Sequence, residues 1–303
     1  MNIKAIRSDG IYRKIISAKP CQREDIYRYE LMKPFEFKYS CIGVPIKAEK
    51  PGGYDVVMAT TMAGAFAPNN IGNEQISDVE KISDEGFWKA CEESIRKTFE
   101  GFEANSISLP VKEYIFTVLL NDPQNPMAKM SGDYCGDGGI PGYIIGTIIP
   151  NEKSLKMLPV ALAHEANHNV RWQFMKWSNK ITLGDMIVSE GLAENFAAFM
   201  YGEDKIGVWV TSTTEETLEN VIKPAIKENI NCDDFNKLSA FLYGDEIMAL
   251  NGSSTPIGMP YCGGYACGYS LIKYYLKKTG KTIFEATITP TEDILKEVQD
   301  FWN

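Results

Sequence analysis

The stretch His164-Glu165-Ala166-Asn167-His168 constrains this chain more than any other, because the only two histidines in its 303 residues both fall within it. Four apart on a helix, their side chains share one face, roughly 6 Å apart at the backbone. That spacing lets both imidazoles reach a single tetrahedral zinc ion, with Glu165 beside the metal rather than on it. Two neutral rings hold the cation without cancelling its charge, and the adjacent carboxylate can take a proton from a metal-activated water. A helix with solvated histidines would spell the same letters, but the context opposes it. Leu158, Val160, Ala161, Leu162 and Ala163 make the helix apolar on most sides, and ionisable groups inside a buried helix need partners.

Two histidines leave a catalytic zinc site one protein ligand short, with a further position kept for water. With no third histidine, that ligand must be a carboxylate or a thiolate. A later apolar stretch supplies Glu190 and Glu194, again four apart and on one helix face. The chain between His168 and Glu190 is long enough to finish one helix, turn and return antiparallel. Glu190 is assigned to the metal and Glu194 to a hydrogen bond that fixes the tautomer of His164, with the exchanged roles left open. Cys135, Cys262 and Cys267 are the thiolate competitors, and no spacing favours them. Arg171 lies near the same face as His164, where it either pairs with Glu190 or Glu194 or ends the helix in solvent; the pairing is preferred.

The rest of the chain bounds the partners. A formal charge of −9 and a pI near 5.0, without a basic run, argue against nucleic acid and anionic membrane surfaces. Seven cysteines, an odd number without a Cys-x-x-Cys pair, point to thiols in a reducing compartment. The N-terminus lacks an apolar targeting segment and no run reaches membrane-spanning length, so a cytoplasmic location is expected. Hydrophobic content of 44% is enough for a full core.

Local patterns predict the elements. Residues 25–32 read as a short helix, whereas Phe35 to Val44 and Tyr54 to Thr60 have the aromatic and β-branched content of strands. Ser83-Asp84-Glu85 caps a helix to about Phe102, and Val111 to Leu120 is a strand ended by Asn121-Asp122-Pro123. The glycine-rich stretch Ser131 to Gly139 lacks a phosphate-loop ending and reads as a mobile loop. Tyr143 to Ile149 is a strand, and Ser154 to Trp177 is the histidine helix. Further helices are expected over Leu183 to Tyr201, Thr214 to Ile230, Asp233 to Tyr243, Gly264 to Lys278 and Thr291 to Trp302.

The run Leu162 to Arg171, with Ser189-Glu190-Gly191-Leu192-Ala193-Glu194 and Gly264-Tyr265-Ala266-Cys267-Gly268-Tyr269, resembles a bacterial family of predicted Zn-dependent proteases, a domain of unknown function. The resemblance covers residues 110 to 300. More broadly, His-Glu-x-x-His followed by Glu-x-x-x-acid is similar to gluzincins of the thermolysin kind. This implies one zinc ion held by His164, His168 and Glu190, with Glu165 as general base. It departs from thermolysin-like enzymes in having Glu194 where they carry Asp, and the Gly-x-Met-Glu-Asn signature of gluzincin aminopeptidases is absent. The fold implied is α+β and zincin-like: a twisted sheet with the metal helix beneath it and a mainly helical C-terminal half. Residues 1–178 and 179–303 would be two halves sharing one cleft, and Tyr143 to Ile149 its exposed edge, able to accept an extended peptide.

The expected activity is hydrolysis of a peptide or protein substrate by a metal-activated water. Such a reaction needs a donor for the developing oxyanion. Both histidines are used, so the candidates are Tyr265 first and Tyr269 second, on one helix face behind Gly263-Gly264, which would let the helix end approach the cleft. Arg171 or the loop around Gly138 comes after them. Two other functions compete: a zinc-stabilised protein that grips peptides without cutting, and a zinc hydrolase of another amide or ester. The intact Glu165 favours the peptidase over the first.

Overall fold

A computed structural model describes residues 1–303 apart from 126–127, 129–130, 177–179, 251 and 253–254. The protein is α+β, with a twisted four-stranded mixed sheet and long helices. The elements used below are β1 (Asn2–Ala5), α1 (Ser8–Ser17), α2 (Glu85–Ala104), β2 (Glu113–Leu120), β3 (Tyr134–Asp137), β4 (Tyr143–Ile148), α3 (Glu152–Phe174), α4 (Leu183–Tyr201) and α5 (Gly263–Thr279). Two compact units divide the chain. One comprises residues 1–97 and 110–162, the other 98–109 and 163–303, so the division falls inside α3.

The first unit holds the sheet, in the order β1-β2-β4-β3. β1 and β4 flank β2 in parallel, with Ile3 opposite Tyr114 and Phe116 opposite Ile144, and β3 runs antiparallel to β4. β4 is therefore an inner strand, not the exposed edge expected of Tyr143 to Ile149. The edge beside it is β3, formed by part of the glycine-rich stretch read as a loop. Four residues, one of them Gly136, carry too weak a pattern to announce a strand. The opening of α3 packs on β4 through a missing side chain: a Cβ on Gly146 would lie 3.3 Å from both Leu158 and Leu162. Asn151 and Ser154 cap that helix reciprocally, each side chain accepting the other's backbone N–H at 2.9 Å.

The expected strands over Phe35 to Val44 and Tyr54 to Thr60 are instead helical, at Glu36–Cys41 and Val56–Met62. Asp55 decides the second. One carboxylate oxygen accepts from the Val57 and Met58 amides at 3.0 and 3.3 Å, while the other accepts from the buried Arg28 guanidinium at 2.9 and 3.1 Å. A capped and ion-paired start outweighs the β preference of Val56 and Val57. The later elements fall close to their expected positions, with a π-turn at Leu218–Ile222 inside the Thr214 to Ile230 helix. α3 is described to Phe174, and its expected end at Trp177 lies outside the described residues.

In the second unit α4 and α5 touch backbone to backbone. A Cβ on Gly191 would fall 2.1 Å from the Gly268 carbonyl oxygen, and one on Gly268 would fall 2.3 Å from that of Ile187. Asn195 staples the crossing, donating to the carbonyls of Gly191 at 2.8 Å and Tyr269 at 3.0 Å. Gly263 and Gly264 serve packing too. Their Cβ positions would meet Met259 Sδ at 2.5 Å and Leu242 Cα at 2.7 Å. The aromatic core of this unit includes Phe102 stacked on Phe196 at 5.4 Å, with Phe284 edge-on to both.

These contacts separate two glycines sharply. Gly191→Ala should force α4 from α5 and lower stability by roughly 1–3 kcal/mol or more, as overpacking does. Gly10→Ala, inside α1 with nothing within 4 Å of its Cβ, should raise it by about 0.4–1 kcal/mol. Thermal or urea denaturation of both variants checks the contrast, and a neutral Gly191→Ala would contradict the packing described.

Candidate metal centre

Every residue from Ala161 to Arg171 is buried, so the polar side chains of this part of α3 must find partners inside the protein. α4, begun by a reciprocal cap between Thr182 and Asp185, supplies most of those of the histidines. His164 Nε2 and His168 Nε2 lie 3.0 Å apart, and Glu190 Oε2 lies 3.2 Å from each. Tetrahedral zinc with ligands at about 2.0–2.2 Å sets its ligand atoms about 3.3–3.5 Å apart. The triangle, at 3.0–3.2 Å, is a few tenths of an ångström tighter than that and close to the size such an ion takes.

The outer ring nitrogens define which way the inner ones face. His164 Nδ1 is 2.9 Å from Glu194 Oε2, and His168 Nδ1 is 3.1 Å from Ser189 Oγ. With Nδ1–H donated outward in each ring, both Nε2 atoms turn lone pairs toward the Glu190 oxygen. Three acceptors that converge without a donor among them call for a cation. Without a metal, a proton on His164 can fill that role. Burial opposes charge on His164, but hydrogen bonds to Glu190 and Glu194, with the charge of Glu165, outweigh it and raise its pKa well above an ordinary histidine. Burial likewise opposes ionisation of Glu190, yet the histidines hold its carboxyl down to about 2. His164, His168 and Glu190 thus form a group that could hold a metal ion, as the chemistry of the donor set asks.

Glu194 is itself bound tightly. It is buried and accepts from three donors: His164, the Trp209 indole at 2.9 Å on the same oxygen, and the Gly207 amide at 2.7 Å on the other. The two carboxylates therefore stand on opposite sides of the His164 ring, Glu190 at Nε2 and Glu194 at Nδ1. Glu165 is buried, and its charge acts on His164.

A family model described as "Predicted Zn-dependent protease (DUF2268)" matches residues 87–296. The chain belongs to this family. It is 33% identical over 298 residues to Uncharacterized protein YjfC of Bacillus subtilis (strain 168), covering 98% of each chain. It is also 23% identical over 227 residues to Uncharacterized protein YjaZ of the same organism, covering 73% of this chain and 78% of that one. No solved structure matches. Among the described residues no helix is long and apolar enough to cross a membrane, and no disulfide joins the cysteines.

The predicted Zn-dependent protease family segment also contains Arg171, and here the expectation fails in both its forms. Arg171 is 1% exposed, so it is not a solvated helix end, and it pairs with neither Glu190 nor Glu194. Its guanidinium donates to the carbonyls of Thr287 at 2.9 Å and Thr289 at 3.1 Å, and to Thr291 Oγ1 at 2.9 Å. Burial lowers its pKa to about 10, against the upward pull of Asp185. Arg171 thus anchors the turn after Ile283–Thr287. Tyr265 and Tyr269 are half-buried on α5. The ring of Tyr265 lies 5.9 Å from that of Tyr243, and Lys273 sits over Tyr269. Burial leads in raising the Tyr269 phenol pKa, with Lys273 opposing and Glu203 and Glu194 adding.

Sequence reasoning missed Ser189, Gly207 and Trp209. Ser189 stood in plain view beside Glu190, as a hydroxyl on a buried helix that needs a partner. Gly207 and Trp209 had no such signal. Chain reversal brings them back over α4, beginning at Gly202, whose φ of 100° few other residues adopt.

Elemental analysis of purified variants should find metal lost with His164→Ala, His168→Ala or Glu190→Ala, and retained but bound about 10- to 100-fold more weakly with Glu194→Ala. The reverse order for the two carboxylates would exchange their roles. Arg171→Ala should leave metal content intact while costing roughly 3 kcal/mol of stability, because the Thr287 and Thr289 carbonyls lose their donor; metal loss from folded Arg171→Ala protein would tie it to the cluster after all.

Proposed function

We propose that this chain is a zinc-dependent peptidase of zincin-like fold, in which His164, His168 and Glu190 hold one zinc ion and Glu165 is the general base. The observation that carries this is the convergence of His164 Nε2, His168 Nε2 and Glu190 Oε2 within 3.0–3.2 Å of one another, on a helix where the next residue after His164 is a buried carboxylate. When bound, zinc supplies a Lewis acid that makes water acidic near neutral pH and polarises a carbonyl. Glu165 takes the proton of the attacking water and delivers it to the departing amide nitrogen. Glu194 and Ser189 hold the two imidazoles in the orientation that leaves both Nε2 lone pairs inward. Tyr265, and after it Tyr269, donates to the oxygen of the scissile carbonyl as charge develops there. A peptide or protein substrate is supported by the family description together with Glu165 beside the cluster. A protein that only grips peptides has no use for Glu165.

A diverse peptide library incubated with purified protein, with and without chelator, is the direct test. Chelator-sensitive cleavage is expected. Glu165→Gln should retain zinc while the rate falls by a factor of roughly 10² or more. Cleavage at the wild-type rate in that variant would remove the proposed base. Tyr265→Phe should lower kcat by about 10²-fold, an oxyanion donor's usual share, with zinc content unchanged. Unchanged kcat in both Tyr265→Phe and Tyr269→Phe would exclude the pair.

A further inference from the structure

Glu190 and Glu194 pose a problem of selection. They are the same chemical group, four residues apart on one helix, and each sits against a ring nitrogen of His164: Oε2 of Glu190 at 3.2 Å from Nε2, Oε2 of Glu194 at 2.9 Å from Nδ1. Glu190 faces the ring nitrogen that a metal would take, and Glu194 must stay on the opposite nitrogen if His164 is to keep that orientation. What distinguishes the two lies in the segment after α4. The Gly207 amide pins Glu194 Oε1 at 2.7 Å, and the Trp209 indole N–H joins His164 on Oε2 at 2.9 Å. A carboxylate held through both oxygens, from two directions, cannot rotate without breaking a hydrogen bond that burial makes expensive.

Gly207 and Trp209 work as one device. The indole lies over Gly207 so closely that a Cβ there would fall 2.1 Å from Trp209 Cε2. Only glycine at 207 lets the ring reach the carboxylate that its own amide holds. The same ring stands edge-on to His164, with centroids 6.3 Å apart. Its polar edge thus binds Glu194 while its apolar body walls the imidazole.

We propose that Trp209 is a positioning residue that, together with the Gly207 amide, keeps Glu194 a hydrogen-bond acceptor for His164 Nδ1, so that Nε2 stays turned toward the metal. This rests on the reading of His164, His168 and Glu190 as zinc ligands. Trp209 acts on the metal only through Glu194, so its effect depends on that residue being present.

A double-mutant cycle on zinc affinity tests the dependence, with no need for catalytic activity. Zinc dissociation constants are measured on the full chain by competition with a chromophoric chelator, for wild type, Trp209→Phe, Glu194→Ala and the double variant. Trp209→Phe should weaken zinc about tenfold in the wild-type background, the lower end for an outer partner of a liganding histidine. It should change nothing in the Glu194→Ala background. Benzothienylalanine at 209, which keeps the indole's shape but lacks its N–H, should match Phe; Glu194→Gln replaces Glu194→Ala if the latter fails to fold. Equal weakening in both backgrounds, no weakening in either, or wild-type affinity with benzothienylalanine would overturn the proposal. Absence of zinc binding by the wild type, or its retention in His164→Ala, would instead overturn the metal reading and the proposal with it, an outcome distinct from a cycle without coupling.

Discussion

The polar side chains inside a fully buried helix set the terms for the second unit. From Ala161 to Arg171 no residue of α3 is exposed, yet the run contains two histidines, a glutamate, two asparagines and an arginine. Each such group costs several kcal/mol if left without a partner, more if charged. The protein answers by recruiting different segments to different sides of the helix. α4 brings Ser189, Glu190 and Glu194 to the histidines, and the turn at 287–291 brings carbonyls to Arg171. Asn167 donates to Thr287 Oγ1 at 2.8 Å, although its own Oδ1 is left without a partner among the described residues. The placement of α4 and of the 283–291 segment can be understood as the solution to that demand.

Solutions of this kind differ in what they leave over. Around Arg171 the donors meet acceptors, and the arrangement is closed. Around the histidines, with both Nδ1–H groups donated outward, three acceptors face one another, and a bound cation would complete the arrangement. The difference between a structural and a metal-holding polar cluster is thus one of donor count. It is visible before any ion is considered. It also explains why Glu190 and Glu194, alike in sequence, differ in surroundings: among the described residues the second has three donors, whereas the first faces the inward sides of two rings.

Periodic and capped segments of the sequence spoke clearly. α2, α4 and α5 lie close to where apolar spacing and caps put them, because a stripe repeated over many turns survives local noise. Short elements did not. β1 has four residues and pairs with a strand more than a hundred positions later, and β3 is interrupted by glycine. Tyr54 to Thr60 looked like a strand because side-chain preference was weighed without the cap that Asp55 supplies. At the candidate site, residues four apart on one helix were legible because helix geometry alone relates them. Trp209 and Arg171 were not, since their partners depend on how the chain turns between elements, at Gly202 and at 287–291.

The strand pairings and the metal cluster also differ in how far along the chain their parts lie. The sheet cannot close until Asn2 meets Glu113, across nearly everything that precedes β2. The cluster draws on α3 and α4, which are consecutive helices. Loop closure grows costlier with length, and contacts near in sequence form sooner. In a folding chain the histidines and Glu190 can therefore meet while β1 is still searching for its neighbour. A cation captured at that stage would brace the pair of helices while the sheet is still open.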